Sequence, residues 1–339
     1  MKRYLLGLAL ICMVVLSCKK QSSDTNTPSK PTKEQHVVTF NVGFSQQTGD
    51  LETNSLKTNS TTATTALADV ADVMYLAIYN TNGSLLHILK KVSTDNGFGS
   101  FIDTLNYGNY TAIFAAGKTG LSLTPEYHWV GKETGGFFVE HNLSTDVLIY
   151  GSETGPVIGP TLFNKDAFYK KVALTIPQTA ALTINLDRIT SQEQVVVEDA
   201  IPAKAKALEL KISYVASMFY VNSGAPQTTF RNTIYTYSFL TPTDIGKTNY
   251  SFNTGIFLAI PLSTQTIVCS SDVTINNSGV DNGLNPDIAS ITAPNITCLP
   301  NKKTVLTGNL FGGAGKPVGN GFHLVTDTSW NSTIVSKPF

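Results

Sequence analysis

Apolar and polar residues alternate along Val37–Phe44. Val38, Phe40, Val42 and Phe44 fall on one face, and Thr39, Asn41 and Gly43 on the other. This period of two predicts a half-buried strand. A second apolar run, Met74–Tyr79, is followed by Asn80-Thr81-Asn82-Gly83 and then by Ser84–Leu89. Asn-Gly between two apolar runs is a strong hairpin signal, because both residues tolerate the positive φ that tight hairpin turns need. Further strands are expected at Gly99–Leu105, Tyr110–Ala116, Phe137–Glu140 and Asp146–Tyr150. A second series covers Leu174–Ile176, Ala181–Asp187, Gln194–Val197, Ala207–Ser213, Ser217–Val221, Thr233–Leu240, Gly255–Ile260, Thr264–Ser270 and Lys303–Leu310. Turn residues separate these runs at short intervals, which predicts a sandwich or barrel rather than βαβ units. Two segments depart from the strand pattern. Thr161–Lys171 carries Phe163 and Phe168 and is expected to be helical, and the alanine-rich residues 64–72 are expected to hold a turn of helix.

The N-terminus has a different pattern. Lys2 and Arg3 precede an apolar run from Leu5 to Leu16, too short for the ~20 residues that span a bilayer. Its length and flanks are those of a signal peptide. The run ends in Val15-Leu16-Ser17-Cys18, which resembles a bacterial lipobox. That predicts removal of residues 1–17 and acylation of Cys18, with palmitate-type chains that each bury methylenes at about 0.8 kcal/mol apiece. Residues 18–36 are rich in Lys, Ser, Thr, Pro, Asn and Gln and read as a lipidated tether, since they hold too little apolar surface to order themselves. The expected organisation is therefore a signal at 1–17, a tether at 18–36, an N-terminal domain at 37–178 and a C-terminal domain at 179–339. Pro177, Gln178 and Thr179 mark the boundary. The location expected is the outer membrane, lipid-anchored and at the cell surface, with the membrane itself as first partner.

Charge excludes one class of partner. The chain has 24 Lys+Arg and 24 Asp+Glu, and Lys2 and Arg3 leave with the signal, so the mature chain is slightly acidic and offers nucleic acid nothing. Only 14% of residues are charged, while Thr, Ser and Asn abound, as in exported β-proteins. After processing two cysteines remain inside the body, Cys269 and Cys298, each at the end of an apolar segment with an Asn/Gly/Asp-rich stretch between them that reads as a long loop. Export favours a disulfide between them. Two separate buried thiols are the alternative.

Reactive chemistry is hard to find. His36, His87, His128, His141 and His323 show no metal-ligand spacing. Gly117-Lys118-Thr119 lacks the earlier glycine of a phosphate loop, since position 112 is Ala, and reads as a turn. Asp281–Asp287 could offer oxygens to calcium but lacks a downstream bidentate Glu and contains Pro286. No Gly-x-Ser-x-Gly elbow occurs. Neither a cofactor nor a catalytic centre is expected. Tyr127, Trp129 and Trp330 could stack on sugars, which keeps a surface glycan-binding lipoprotein as the alternative reading.

Five segments, taken in order, resemble the fimbrillin and fimbrial-anchor family of Bacteroidetes, the type V pilus lipoproteins. They are Val38–Phe44, Asp72–Tyr79 with its Asn82-Gly83 turn, Leu105–Gly117 with its Gly108-Asn-Tyr110 start, Leu186–Pro202, and Thr304–Phe311. Together they cover most of residues 37–311. The resemblance implies an all-β body of two tandem transthyretin-like β-sandwiches and a non-enzymatic role in fimbria assembly, anchoring or adhesion, with other fimbrial subunits as partners through strand donation. It also implies removal of the first strand in polymerising members by an arginine-specific protease. Here the chain departs from the pattern: its arginines are Arg3, Arg188 and Arg231, and the segment Gly49–Thr65 holds Lys57 but no arginine. The first strand is therefore expected to stay in place.

Overall fold

The computed structural model describes residues 34–44, 67–126, 140–150, 165–227, 231–256, 263–271, 287–312 and 323–327. The body they form is nearly all strand. In chain order it contains β1 (Gln35–Phe44), α1 (Leu67–Val70), β2 (Val73–Asn80), β3 (Leu85–Val92), β4 (Ser100–Asn106), β5 (Gly108–Gly117), β6 (Leu121–Pro125), β7 (Asp146–Tyr150), β8 (Ala167–Ile176), β9 (Leu182–Arg188), β10 (Ser191–Val197), β11 (Ala207–Ala216), β12 (Met218–Tyr220), β13 (Ala225–Pro226), β14 (Arg231–Phe239), β15 (Tyr250–Ile256), β16 (Ser263–Ser270), β17 (Asp287–Ile296), β18 (Lys303–Gly308) and β19 (His323–Asp327).

The first seven-stranded ribbon runs β3-β2-β5-β8-β9-β1-β4. Its β8–β9 step is held by only two residue pairs, Phe168 with Arg188 and Tyr169 with Asp187. There the ribbon folds into two facing leaves, β3-β2-β5-β8 and β9-β1-β4. Between them lies a core of Val38, Phe40 and Val42 from β1, Met74, Leu76 and Ile78 from β2, Phe101 and Leu105 from β4, Phe114 from β5, Phe168 from β8, and Ile184 and Leu186 from β9. The alternation seen in Val38–Phe44 is this inward set. Phe40 meets Phe114 edge-on at 5.3 Å between ring centroids, the arrangement that ring quadrupoles favour. The two end strands of the ribbon come together across the open side, where His87 Nδ1 of β3 lies 2.8 Å from Asp103 Oδ2 of β4.

The strands β2 and β5 are apolar on both faces. Val73, Tyr75, Ala77 and Tyr79 alternate with the first core and face the other way, as do Ile113 and Ala115. A second, four-stranded sheet of β13-β12-β7-β6 covers that outer face with Leu121, Leu123, Leu148, Tyr150 and Phe219. The second series of strands forms two more leaves, β15-β10-β18-β19 and β14-β11-β16-β17. Val195, Val197, Phe252 and Leu306 from one leaf meet Leu208, Leu210, Ile212, Ile234, Ile267 and Cys269 from the other.

The two stacks share a pairing pattern. β1 lies between antiparallel β4 and parallel β9, and β10 lies between antiparallel β15 and parallel β18. In the facing leaves β2 is flanked by β3 and β5, and β11 by β14 and β16, all antiparallel. β9 falls beyond the boundary expected at residue 178, yet it pairs with β1 and belongs to the first stack.

Most expected strands form, and the Asn82-Gly83 turn closes the β2–β3 hairpin with Gly83 at φ 86°. α1 occupies four of the alanine-rich residues. Residues 167–171, expected to be helical, are instead the start of β8, which pairs with β5 over ten residues. That ladder overrides a weak helical pattern, while residues 161–164 lie outside the described part. Phe137–Phe138-Val139 and residues 257–260 also lie outside it. β6, β13, β17 and β19 were not expected, and β15 meets the expected Gly255–Ile260 only at residues 255 and 256. β17 is an edge strand, and it tolerates Pro294 at a register shift next to Asn295, whose φ is 59°.

Gly117 ends β5 where three groups converge. A Cβ there would stand 2.6 Å from Tyr150 Oη, 2.8 Å from the Asp166 carbonyl oxygen and 2.8 Å from Leu121 Cδ2. Gly117→Ala is expected to destabilise the fold by about 1–3 kcal/mol, the usual range for overpacking. Urea unfolding of the soluble body measures this.

Candidate functional site

Three features stand out: the seating of β1, the layer that covers the outer face of β2, and the crossing between the two stacks.

β1 begins where the expected tether ends. Seven of its residues pair with β4, from Gln35 with Asn106 to Asn41 with Ser100. Five pair with β9, from Phe40 with Leu182 to Phe44 with Leu186. The strand is thus held by backbone ladders on both edges, and on its apolar side Val38, Phe40 and Val42 are buried while Phe44 is half-buried. His36 adds a contact from its ring Nε2 to the Gln178 carbonyl and lies 6.4 Å from the Tyr107 ring. Removing β1 would uncover Phe101, Phe114 and Ile184 along its whole length and leave two strand edges without partners. The end strand β3, by contrast, carries Lys90 and Lys91, charges that oppose edge-to-edge pairing.

The covering layer is fixed by tyrosines. Each supplies a large apolar ring and one hydroxyl that must find a partner when buried. Tyr75 donates to the Leu121 carbonyl at 3.0 Å, Tyr79 to Asp146 Oδ2 at 2.5 Å, and Tyr169 to the Val221 carbonyl at 2.5 Å. Tyr150 accepts from the Lys118 backbone N–H at 2.9 Å and donates to the Asp166 carbonyl. Burial pushes the Tyr79, Tyr150 and Tyr169 phenols above their usual range, and for Tyr79 the Asp146 carboxylate adds to it. Asp146 is itself buried and also meets His141 Nδ1 at 3.0 Å. These hydroxyls stay protonated and serve as donors between layers.

The crossing runs from β9 directly into β10. Arg188 Nη2 donates to Asp166 Oδ2 at 2.9 Å, and Thr190 Oγ1 donates to Asp166 Oδ1 at 2.8 Å. The Arg188 guanidinium lies 5.4 Å from the centroid of the Phe168 ring. All three polar residues are buried. A second crossing is covalent: β11 leads through Ser217 into β12, so one chain passes from the second stack to the covering layer. Farther along, Asp199 accepts from the backbone N–H groups of Leu310 and Phe311 and ties down the exit of β18.

The sequence-singled residues are spread out. Cys269 and Cys298 are both buried thiols, and no bond joins them. The reason is distance along β16. Cys298 Sγ lies 3.9 Å from Gln265 Nε2, and Gln265 is four residues from Cys269, about 13 Å along a strand. A disulfide needs Cα atoms within about 7 Å. Gly117-Lys118-Thr119 is a turn between sheets, with the Thr119 N–H and hydroxyl both bonded to Asp72 Oδ2 at 2.9 Å. Its N–H groups are therefore taken by protein. No group of three His, Cys, Asp or Glu is arranged to hold a metal ion among the described residues. Cys18, Tyr127, Trp129, Trp330 and most of the Asp281–Asp287 segment lie outside them. The tyrosine donors and the Asp166–Arg188 pair were not singled out from sequence. Their only signal was polar tips within apolar runs.

No family model matches the chain, and no curated protein matches it. Solved structures do. A candidate adhesin from Bacteroides ovatus is 12% identical with a TM-score of 0.49, over 86% of this chain and 95% of that one. The fimbrial anchor protein Mfa2 from Porphyromonas gingivalis is 12% identical with a TM-score of 0.41, over 80% and 90%. The tip fimbrial protein Mfa3 from the same organism is 10% identical with a TM-score of 0.39, over 87% and 99%.

Asp166→Ala is expected to cost about 3–5 kcal/mol, because it leaves the Arg188 charge buried without its carboxylate. The double variant Asp166→Ala/Arg188→Met is expected to recover part of that loss. Thermal unfolding of the three proteins checks both.

Proposed function

We propose that this chain is a lipid-anchored envelope protein of the fimbrial anchor, tip or adhesin kind, and that its work is mechanical rather than catalytic. The observation that carries the reading is the seating of β1. It is laddered on both sides, its apolar face is buried, and no arginine stands between Cys18 and Arg188 to let an arginine-specific protease release it. A strand that stays leaves no groove for an incoming subunit, so the chain is suited to end or anchor a fibre, not to sit in its interior. A C-terminal segment would be the donor to a neighbouring subunit by β-augmentation. Cys18 would carry the acyl chains, with the tether joining membrane to β1.

The two repeated pairing patterns support a tandem arrangement, with the division between Arg188 and Ser191. Force applied at the tether enters through β1. There it meets backbone hydrogen bonds on both strand edges and is passed to the β2–β5–β8 leaf through the shared core. A non-enzymatic role needs only these bonds.

Two measurements test the reading. Cys18→Ser is expected to move the protein from the membrane fraction to the soluble fraction of the envelope, and unchanged membrane retention would refute the lipid anchor. Mass spectrometry of the mature envelope protein is expected to find peptides spanning residues 37–57. Their routine loss would refute the retained first strand.

A further inference from the structure

A fully enclosed carboxyl group lies between the two leaves of the second stack, three residues past Thr190 of the crossing. Glu193 has no exposed surface. It alternates with Val195 and Val197 on the inward face of β10. Only one of its oxygens is engaged. Oε2 accepts from Gln265 Nε2 at 2.8 Å and from Cys298 Sγ at 3.7 Å. Among the described residues Oε1 has no hydrogen-bond partner, and the same holds for Gln265 Oε1 and for Ser191 Oγ on the next inward position of β10.

An ionised carboxylate needs donors on both oxygens or a cation beside it. Among the described residues this one has neither. The groups that face it are Gln265 and Ser263 from β16, Cys298 from the segment after β17, Thr304 from β18, Thr254 from β15 and Ser191 from β10 itself. None of these is cationic. Among the described residues the titratable group facing it is the Cys298 thiol, and burial with the nearby carboxyl pushes it up, so it stays a neutral donor. Lys303 sits beside Gln192, on the opposite face of the sheet. A neutral carboxyl suits the site instead. Its carbonyl oxygen, Oε2, takes the two donors present, and its hydroxyl is Oε1. Gln265 Oε1 and Ser191 Oγ, also without a partner among the described residues, lie on the same inward side of the stack. Burial raises the Glu193 acid from an ordinary 4.5 to about 8, against smaller lowering effects of the Gln265 and Cys298 donors.

We propose that Glu193 is a core proton site: it folds in its neutral form, with the proton on Oε1, and loss of that proton in alkaline surroundings loosens the second stack beside its junction with the first. The proposal stands independently of the anchor reading. The sign follows from linkage. The folded state binds a proton that the unfolded state releases near 4.5. The stabilisation is complete below that pH. It falls about tenfold in the unfolding constant per pH unit as pH rises through the window up to about 8, and is constant above it.

Urea unfolding of the mature chain from pH of about 5 to about 9.5, in parallel with Glu193→Gln, tests this. Gln keeps the shape and cannot ionise. The ratio of the two unfolding constants is expected to change about tenfold per pH unit and then level off near pH 8. A ratio that is flat over the whole range overturns the proposal. If Glu193→Gln does not fold, infrared spectra of the unaltered chain decide. A protonated-carboxyl C=O band is expected at about pH 6.5, where exposed carboxylates are ionised, and is expected to vanish by about pH 9. Absence of that band at the lower pH overturns the proposal equally.

Discussion

A sheet that is apolar on both faces needs two covers, and the strands β2 and β5 impose that requirement on everything else in the molecule. Met74, Leu76 and Ile78 point one way and Val73, Tyr75, Ala77 and Tyr79 the other. Each large buried side chain gains about 1.5–3 kcal/mol over exposure, so leaving either face bare would cost an amount comparable with a small protein's whole stability. The leaf containing β1 supplies one cover. The β6–β7–β12 layer supplies the other, and because β12 is the continuation of β11, that second cover brings the later half of the chain with it. The tyrosine hydroxyls then fix the layers in register, since each needs one particular acceptor and a slid layer would leave it without one.

The same requirement gives the first strand its importance. In a sandwich with one bare side, losing an edge strand removes a few contacts. Here β1 is flanked on both edges, and its three inward residues complete a core on which β2 and β5 depend. The structural cost of removing it is that of opening the first cover along its length. The seating of β1 is thus fixed by the packing as well as by its two ladders. The Lys90–Lys91 pair and the His87–Asp103 contact act at the other margin of the same stack: they discourage strand addition at β3 and close β3 against β4.

Much of this was legible in the residues. Strict alternation in Val38–Phe44 predicted both the strand and its inward set. Asp146–Tyr150 was read to its true ends, because turn residues bracket a short apolar run. The unbroken apolarity of Met74–Tyr79 predicted only a strand of a hairpin, although continuous rather than alternating runs mark burial on two faces. Other features depend on partners far away in the chain. The aromatic residues of β8 look helical in isolation and become a strand only against β5. β9 reads as the first strand of the C-terminal domain because Pro177, Gln178 and Thr179 mark the expected boundary, yet its parallel partner is β1, about 140 positions earlier. The cysteines shared a compartment and an even count, but sequence cannot supply the offset along β16 that keeps them apart.

The polar groups buried near residues 188–193 pose the remaining physical question, because a hydrophobic core gains nothing from them on area alone. Replacing a buried ion pair by apolar residues of similar size is often neutral or stabilising, so the Asp166–Arg188–Thr190 cluster is not explained by stability. Geometry offers a better reason. Arg188 is the last residue of β9 and Ser191 the first of β10, so only two residues separate the last strand of one stack from the first of the next. An apolar contact there would permit many relative settings of β8, β9 and β10. A guanidinium and a hydroxyl that must both reach one carboxylate permit few. Glu193 extends the same logic one turn of the pleat further: its single engaged oxygen ties β10 to β16 through Gln265 and to the chain after β17 through Cys298. The crossing is therefore specified by directional bonds at the one place where the chain changes from one pairing pattern to the next, and the apolar cores on either side are left to supply the stability.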